Sequence, residues 1–151
     1  MQEIKKYLEL LKQHDDPNDW EVPDGFDYTK EESDFVCAKD RIQSVLREKI
    51  KFETGIYIQD ASYHSSILLE AKHTKNGEEP HPQIRFSNFG KMIAISNEEN
   101  VIDSIRIDII QHLTNLGYTY IPEDVLNEQY TGKNRGVDGI DTWWVRYFDW
   151  V

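Results

Sequence analysis

Apolar residues recur along this chain with two distinct periods, and the changes of period divide it into elements. Ile4, Tyr7, Leu8 and Leu11 fall at i, i+3, i+4 and i+7, which predicts a short amphipathic helix over 2–13. Asp15, Asp16 and Pro17 end it. Residues 15–28 hold Pro17, Pro23 and Gly25 without any period, so they read as a loop anchored by Trp20, Val22 and Phe26. Thr29 followed by Glu32 has capping-box spacing, and Phe35, Ala38, Ile42, Val45 and Leu46 then mark one face of a longer helix that reaches Lys49. Cys37 sits beside that stripe and reads as a small packed side chain. From Phe52 the period shortens. GIYIQD (55–60), SSILLEAKH (65–73), PQIRFSNF (82–89) and KMIAIS (91–96) are short β-branched and aromatic runs separated by turn formers. SNFGK, with Asn88 and Gly90, has the character of a tight hairpin between the last two. Four successive strands without an intervening helix imply an antiparallel meander.

Ser96 with Glu99 repeats the capping-box spacing ahead of a helical stripe at Val101, Ile102, Ile105, Ile109, Leu113 and Leu116, and Gly117 stands where a helix commonly ends. A short strand is expected at 118–121, then a helical turn opened by Pro122, then a glycine-rich charged loop, TGKNRGVDGID. The closing stretch DTWWVRYFDWV reads as a last strand. Trp144, Arg146, Phe148 and Trp150 would lie on one side of it and Trp143, Val145, Tyr147 and Asp149 on the other. Neither side is polar, so either the chain covers both, or one is a contact surface for a partner or a second copy. The fold class expected is therefore α+β: one domain over 1–151, an antiparallel sheet of about five strands, and two or three helices packed on one side.

Composition narrows the functions available. With 38% hydrophobic and 30% charged residues, a densely charged surface surrounds a modest core. The lone cysteine cannot pair within the chain, and no apolar run is long enough to span a bilayer, so a cytoplasmic protein is expected. The net charge of −11 is uneven. Residues 15–34 carry nine acids and one base, and residues 97–128 seven acids and one base. That balance disfavours nucleic acid and anionic membranes as partners, both of which need clustered Lys and Arg.

One spacing suggests chemistry. Asp60, then Glu70-Ala71-Lys72 on the following strand, resembles the metal site of the PD-(D/E)xK nucleases. The resemblance implies a Mg²⁺ held by the two carboxylates and a water steadied by the lysine, with Glu48 or Glu53 as a third acid. The same residues also fit a solvated cross-strand charge pattern, with Glu70 and Lys72 on one face. His14, His64, His73, His81 and His112 show no metal-ligand spacing, and the serines around His64 lack a nucleophile-elbow frame. No cofactor is expected.

A small acidic α+β chain with aromatic anchors resembles, at the level of a class, the bacterial immunity proteins of polymorphic toxin and contact-dependent systems. Its landmarks here are NFG (88–90), YIPEDVL (120–126) and WWVRYFDW (143–150). The resemblance implies a non-catalytic protein that neutralises a basic toxin or effector domain. The expected docking residues are Asp15, Asp16, Asp19, Trp20, Glu21, Asp24 and Asp27 for steering, with Trp144 and Arg146 for desolvated affinity. The nuclease centred on Asp60, Glu70 and Lys72 is the alternative from a different class, and a homo-oligomer assembled through the C-terminal strand is the third.

Overall fold

The computed structural model describes residues 2–15, 27–53, 65–87, 89, 91–132 and 142–148. The strand expected at 55–60 and most of the loops at 15–28 and 131–141 lie outside them, as do Asn88 and Gly90 of the hairpin.

Helix α1, Gln2–Gln13, forms where the apolar stripe places it. Helix α2, Tyr28–Leu46, starts one residue before Thr29 because Asp27 is its N-cap, accepting the Lys30 amide at 3.0 Å. It ends at Arg47, whose φ of 58° is left-handed and whose N–H returns to the Gln43 carbonyl. Cys37, expected to be packed, is exposed.

Five strands follow in sheet order β1-β2-β3-β4-β5: Lys51–Glu53, Ser66–Leu68, Gln83–Phe86, Met92–Ile95 and Thr119–Tyr120. The first four are the expected antiparallel meander, with Phe52 opposite Ile67, Ile67 opposite Ile84, and Ile84 opposite Ile95. β5 runs parallel to β4, so the sheet is mixed. Helix α3, Asp103–Asn115, carries the chain back between them, which a parallel neighbour requires. α3 begins later than the Ser96–Glu99 pair suggests. Glu98–Asn100 forms a 3₁₀ turn and Val101 bridges Thr74 before the helix starts.

The helices divide between both faces of the sheet instead of lying on one. β4 shows why: Met92, Ile93, Ala94 and Ile95 are all fully buried. Ile93 and Ile95 join a core with Phe35, Ala38 and Ile42 of α2 and Ile109 and Leu113 of α3. Met92 and Ala94 join a second core with Leu11 of α1 and with Val125 and Leu126 of α4, Glu123–Leu126. An apolar run without alternation is what a strand covered on both faces needs.

The C-terminal aromatic stretch is a helix, α5, Trp143–Tyr147, and not a strand. Its pairs fall at i, i+4: Trp143 stacks on Tyr147 at 6.0 Å and Trp144 lies 5.5 Å from Phe148. Trp143, Arg146 and Tyr147, at i, i+3 and i+4, are all fully buried. Arg146 Nε donates to Asp15 Oδ1 at 2.7 Å, joining two side chains that are 0% and 1% exposed. Tyr130 donates to the other Asp15 oxygen at 2.7 Å, and Tyr147 to the Leu11 carbonyl at 2.5 Å. The guanidinium lies 4.7 Å from the Phe89 ring centre. Gly132 closes the site, since a Cβ there would sit 2.1 Å from Asp15 Oδ2.

Removing either partner takes an opposite charge away from a buried ion. Asp15→Ala or Arg146→Ala is expected to cost about 3–5 kcal/mol in urea denaturation. The apolar double variant Asp15→Leu with Arg146→Met is expected to recover much of that loss. A double variant as unstable as the two singles combined would contradict it.

Candidate functional site

Three groups of ionisable side chains converge among the described residues. The first includes two members of the nuclease-like constellation. Strand β2 stops at Leu68 because the chain turns into a 3₁₀ turn at Ala71–His73, where side chains take over backbone pairing. His73 Nδ1 accepts the Glu70 amide at 3.0 Å, which fixes its tautomer with the proton on Nε2. Nε2 therefore donates to Glu48 Oε1, at 2.5 Å. Glu48, just past the end of α2, also meets Lys72 at 2.7 Å, and Lys72 lies 3.5 Å from Glu70. Hydrogen bonds from Lys72 first, and then from His73, hold the Glu48 carboxyl below its ordinary range. A cleft of about 670 Å³ opens alongside, lined among others by Lys51, Glu70, Lys72, His81 and Pro82.

The chemistry open to this group is limited. A general base needs a ring nitrogen with its lone pair available, and His73 has one nitrogen on a backbone amide and the other on Glu48. Glu48 and Glu70 both face Lys72, so lysine occupies the place a cation would take. Among the described residues no three His, Cys, Asp or Glu side chains converge to hold a metal ion. Asp60 lies outside the described residues. What these contacts do is join the end of α2 to the turn after β2.

The second group is reciprocal. Glu98 Oε1 accepts the Glu123 amide at 3.0 Å, while Glu123 accepts the Asn97 and Glu98 amides at 2.8 and 3.2 Å. Each carboxylate caps the short helix that begins with the other. Tyr120 also donates to Glu98. Burial outweighs these bonds and pushes the Glu98 carboxyl upward. In the third group, Lys91 lies 3.8 Å from Asp34 and 4.6 Å from the centre of the Tyr118 ring. Burial, then the Asp34 carboxylate, push Glu31 up to about 7.

Of the docking residues expected from the sequence, Asp15 and Arg146 are withdrawn from the surface by their own buried pair. Asp27 is exposed but engaged as the α2 cap. Trp144 is half-buried against the second core. Asp16, Asp19, Trp20, Glu21 and Asp24 lie outside the described residues. Missed in the sequence was the groove beside β5, lined by Tyr7, Leu10, Ile110 and Tyr120. Those residues come from three separate elements, and no local spacing announces it. Compared with known proteins, the chain matches no family model, no curated protein and no solved structure.

Two outcomes follow from this wiring. His73→Ala leaves the part-buried Glu70 amide without its ring-nitrogen acceptor, so a loss of about 1 kcal/mol is expected by urea denaturation, with His73→Gln losing less. Glu31 binds its proton more tightly folded than unfolded, so the protein loses stability as pH rises from 4.5 through about 7. Glu31→Gln is expected to match the parent near pH 4 and to exceed it by about 1–3 kcal/mol above pH 7. Identical pH profiles for the two would contradict this.

Proposed function

We propose that this chain is a non-catalytic binding protein of the immunity type, neutralising a basic toxin or effector domain by covering its working surface. One observation carries the proposal. Within residues 97–128, Glu99, Asp103, Asp108, Asp124 and Glu128 are exposed, whereas the single base, Arg106, is only half-exposed. Ile107 stands among these acids on α3 and is 55% exposed, the most of any large apolar side chain among the described residues. Asp103 precedes it by one turn and Asp108 adjoins it.

The arrangement favours an encounter steered by charge and closed by apolar burial. Carboxylates speed association with a basic surface, and a desolvated apolar anchor slows release. Asp103 is already 3.0 Å from Lys75, so Glu99 and Asp108 carry more of the outward field. This adds α3 to the docking residues expected in 15–34, of which Asp16, Asp19, Trp20, Glu21 and Asp24 lie outside the described residues. Among the described residues no helix is long and apolar enough to cross a membrane.

The test uses the partner co-purified from the native host. It is expected to be basic, to lose its toxic activity in the complex, and to associate about tenfold more slowly between low and high salt. Charge reversal at Glu99 and Asp108 should slow association, while Ile107→Ala should speed release and cost about 1–2 kcal/mol of affinity. Association indifferent to salt and to those reversals would overturn the proposal.

A further inference from the structure

Residues 75–80, between the 3₁₀ turn Ala71–His73 and β3, are all exposed. Of the asparagines in the chain, only Asn76 precedes a glycine. Glycine has no side chain to obstruct its own nitrogen as it approaches the side chain before it. Gly77 holds a left-handed φ of 71°, which costs glycine little, and even a Cβ there would meet nothing closer than Ala71 Cβ at 3.9 Å.

Both groups that could react are held by hydrogen bonds. The Glu78 amide donates to Asn76 Oδ1 at 2.8 Å, and the Gly77 amide donates to Thr74 Oγ1 at 2.8 Å. The two bonds act in opposite directions on an attack of the Gly77 nitrogen upon Asn76 Cγ. A donor on Oδ1 polarises the carboxamide and stays in place for the negative charge that develops on that oxygen. Thr74 Oγ1 retains the N–H, and that bond must break before the nitrogen can act as a nucleophile. Thr74 is itself fixed, being 7% exposed and donating through Oγ1 to the Ala71 carbonyl at 2.7 Å.

We infer that Asn76 is a site of spontaneous covalent modification, converting through a cyclic imide with Gly77 at a rate restrained by Thr74. The Gly77 nitrogen bonds to Asn76 Cγ, the Cγ–Nδ2 bond breaks, and the amide proton leaves with Nδ2 as ammonia. Water then opens the imide at either carbonyl, leaving aspartate or an isoaspartate whose chain runs through Cγ. Nothing is oxidised or reduced, and water is the co-reactant. The new carboxylate adjoins Lys75 in sequence, whose ammonium is 3.0 Å from Asp103 at the start of α3. Modification therefore adds negative charge beside α3, whatever that helix binds.

The test follows the full chain over time in mildly alkaline buffer, with peptide mapping by mass spectrometry and isoaspartate read from fragmentation. The mass gain of amide to acid is expected at Asn76 well ahead of Asn97, Asn100, Asn115 and Asn127, which precede glutamate, valine, leucine and glutamate. Asn76→Gln should abolish both that gain and a later-eluting species on anion exchange. Thr74→Val, which lacks the acceptor, should convert about fivefold faster than the parent. Thr74→Ser keeps the acceptor and should convert at the parental rate. Conversion at Asn76 no faster than at the other four asparagines would overturn the site. A Thr74→Val rate equal to the parent's, or an acceleration reproduced by Thr74→Ser, would overturn the restraint.

Discussion

The second core depends on one interaction, the buried pair of Asp15 and Arg146. Neither α1, of twelve residues, nor α5, of five, has enough length to persist as an isolated helix. They meet across 131 positions of sequence, and the contact that joins them is a charge pair rather than apolar burial alone. Desolvating two ions is costly, and attraction offsets the cost only where the remaining polar atoms are also bonded. Tyr130 on the second carboxylate oxygen and the Phe89 and Tyr147 rings beside the guanidinium provide such an environment. Gly132 leaves room for this arrangement, because a Cβ there would meet Asp15 Oδ2 and the Tyr130 side chain.

β4 links that core to the other. Its four residues alternate between the two, so displacement on one face is felt on the opposite one. α3 closes the first core and returns the chain to β5. The outward stripe of α3 is therefore set by the packing of its inner face. A rigid helix face loses little entropy on engaging a partner.

Much of this was legible in the sequence where one period dominated. α1 and α2 followed their stripes, whereas the run MIAI in β4, read only as one strand of a meander with helices on one side, is buried on both faces. The C-terminal stretch was not legible because its aromatic residues satisfy both periods. Read in twos, it gives two apolar faces of a strand. Read as Trp143, Arg146 and Tyr147, it gives a buried helical face centred on an arginine whose partner lies at the other end of the chain. Nothing local distinguishes a buried arginine from an exposed one, so Asp15 and Arg146 both read as surface. The alternation of Glu70 and Lys72 suggested a strand for a similar reason. The deciding contact is a histidine ring nitrogen taking a backbone amide, which no periodicity encodes. Glu48, weighed as a third acid of a metal site, does reach that group, but meets Lys72 and His73 there.

Acid placement connects the fold to the proposed function. A chain with 28 acids and 17 bases cannot pair every carboxylate, and the structure sorts them by use. Asp15 neutralises a buried guanidinium, Asp27 caps α2, and Glu98 and Glu123 cap each other's short helices. Acids engaged in this way have their charge drawn into backbone amides and contribute less to the field a partner meets. The exposed acids of α3 and α4 are among those left outward in the described residues. Within residues 97–128 the fold engages Glu98 and Glu123 and leaves Glu99, Asp108, Asp124 and Glu128 exposed. An exposed isoleucine in that segment gives the field something to deliver a partner to.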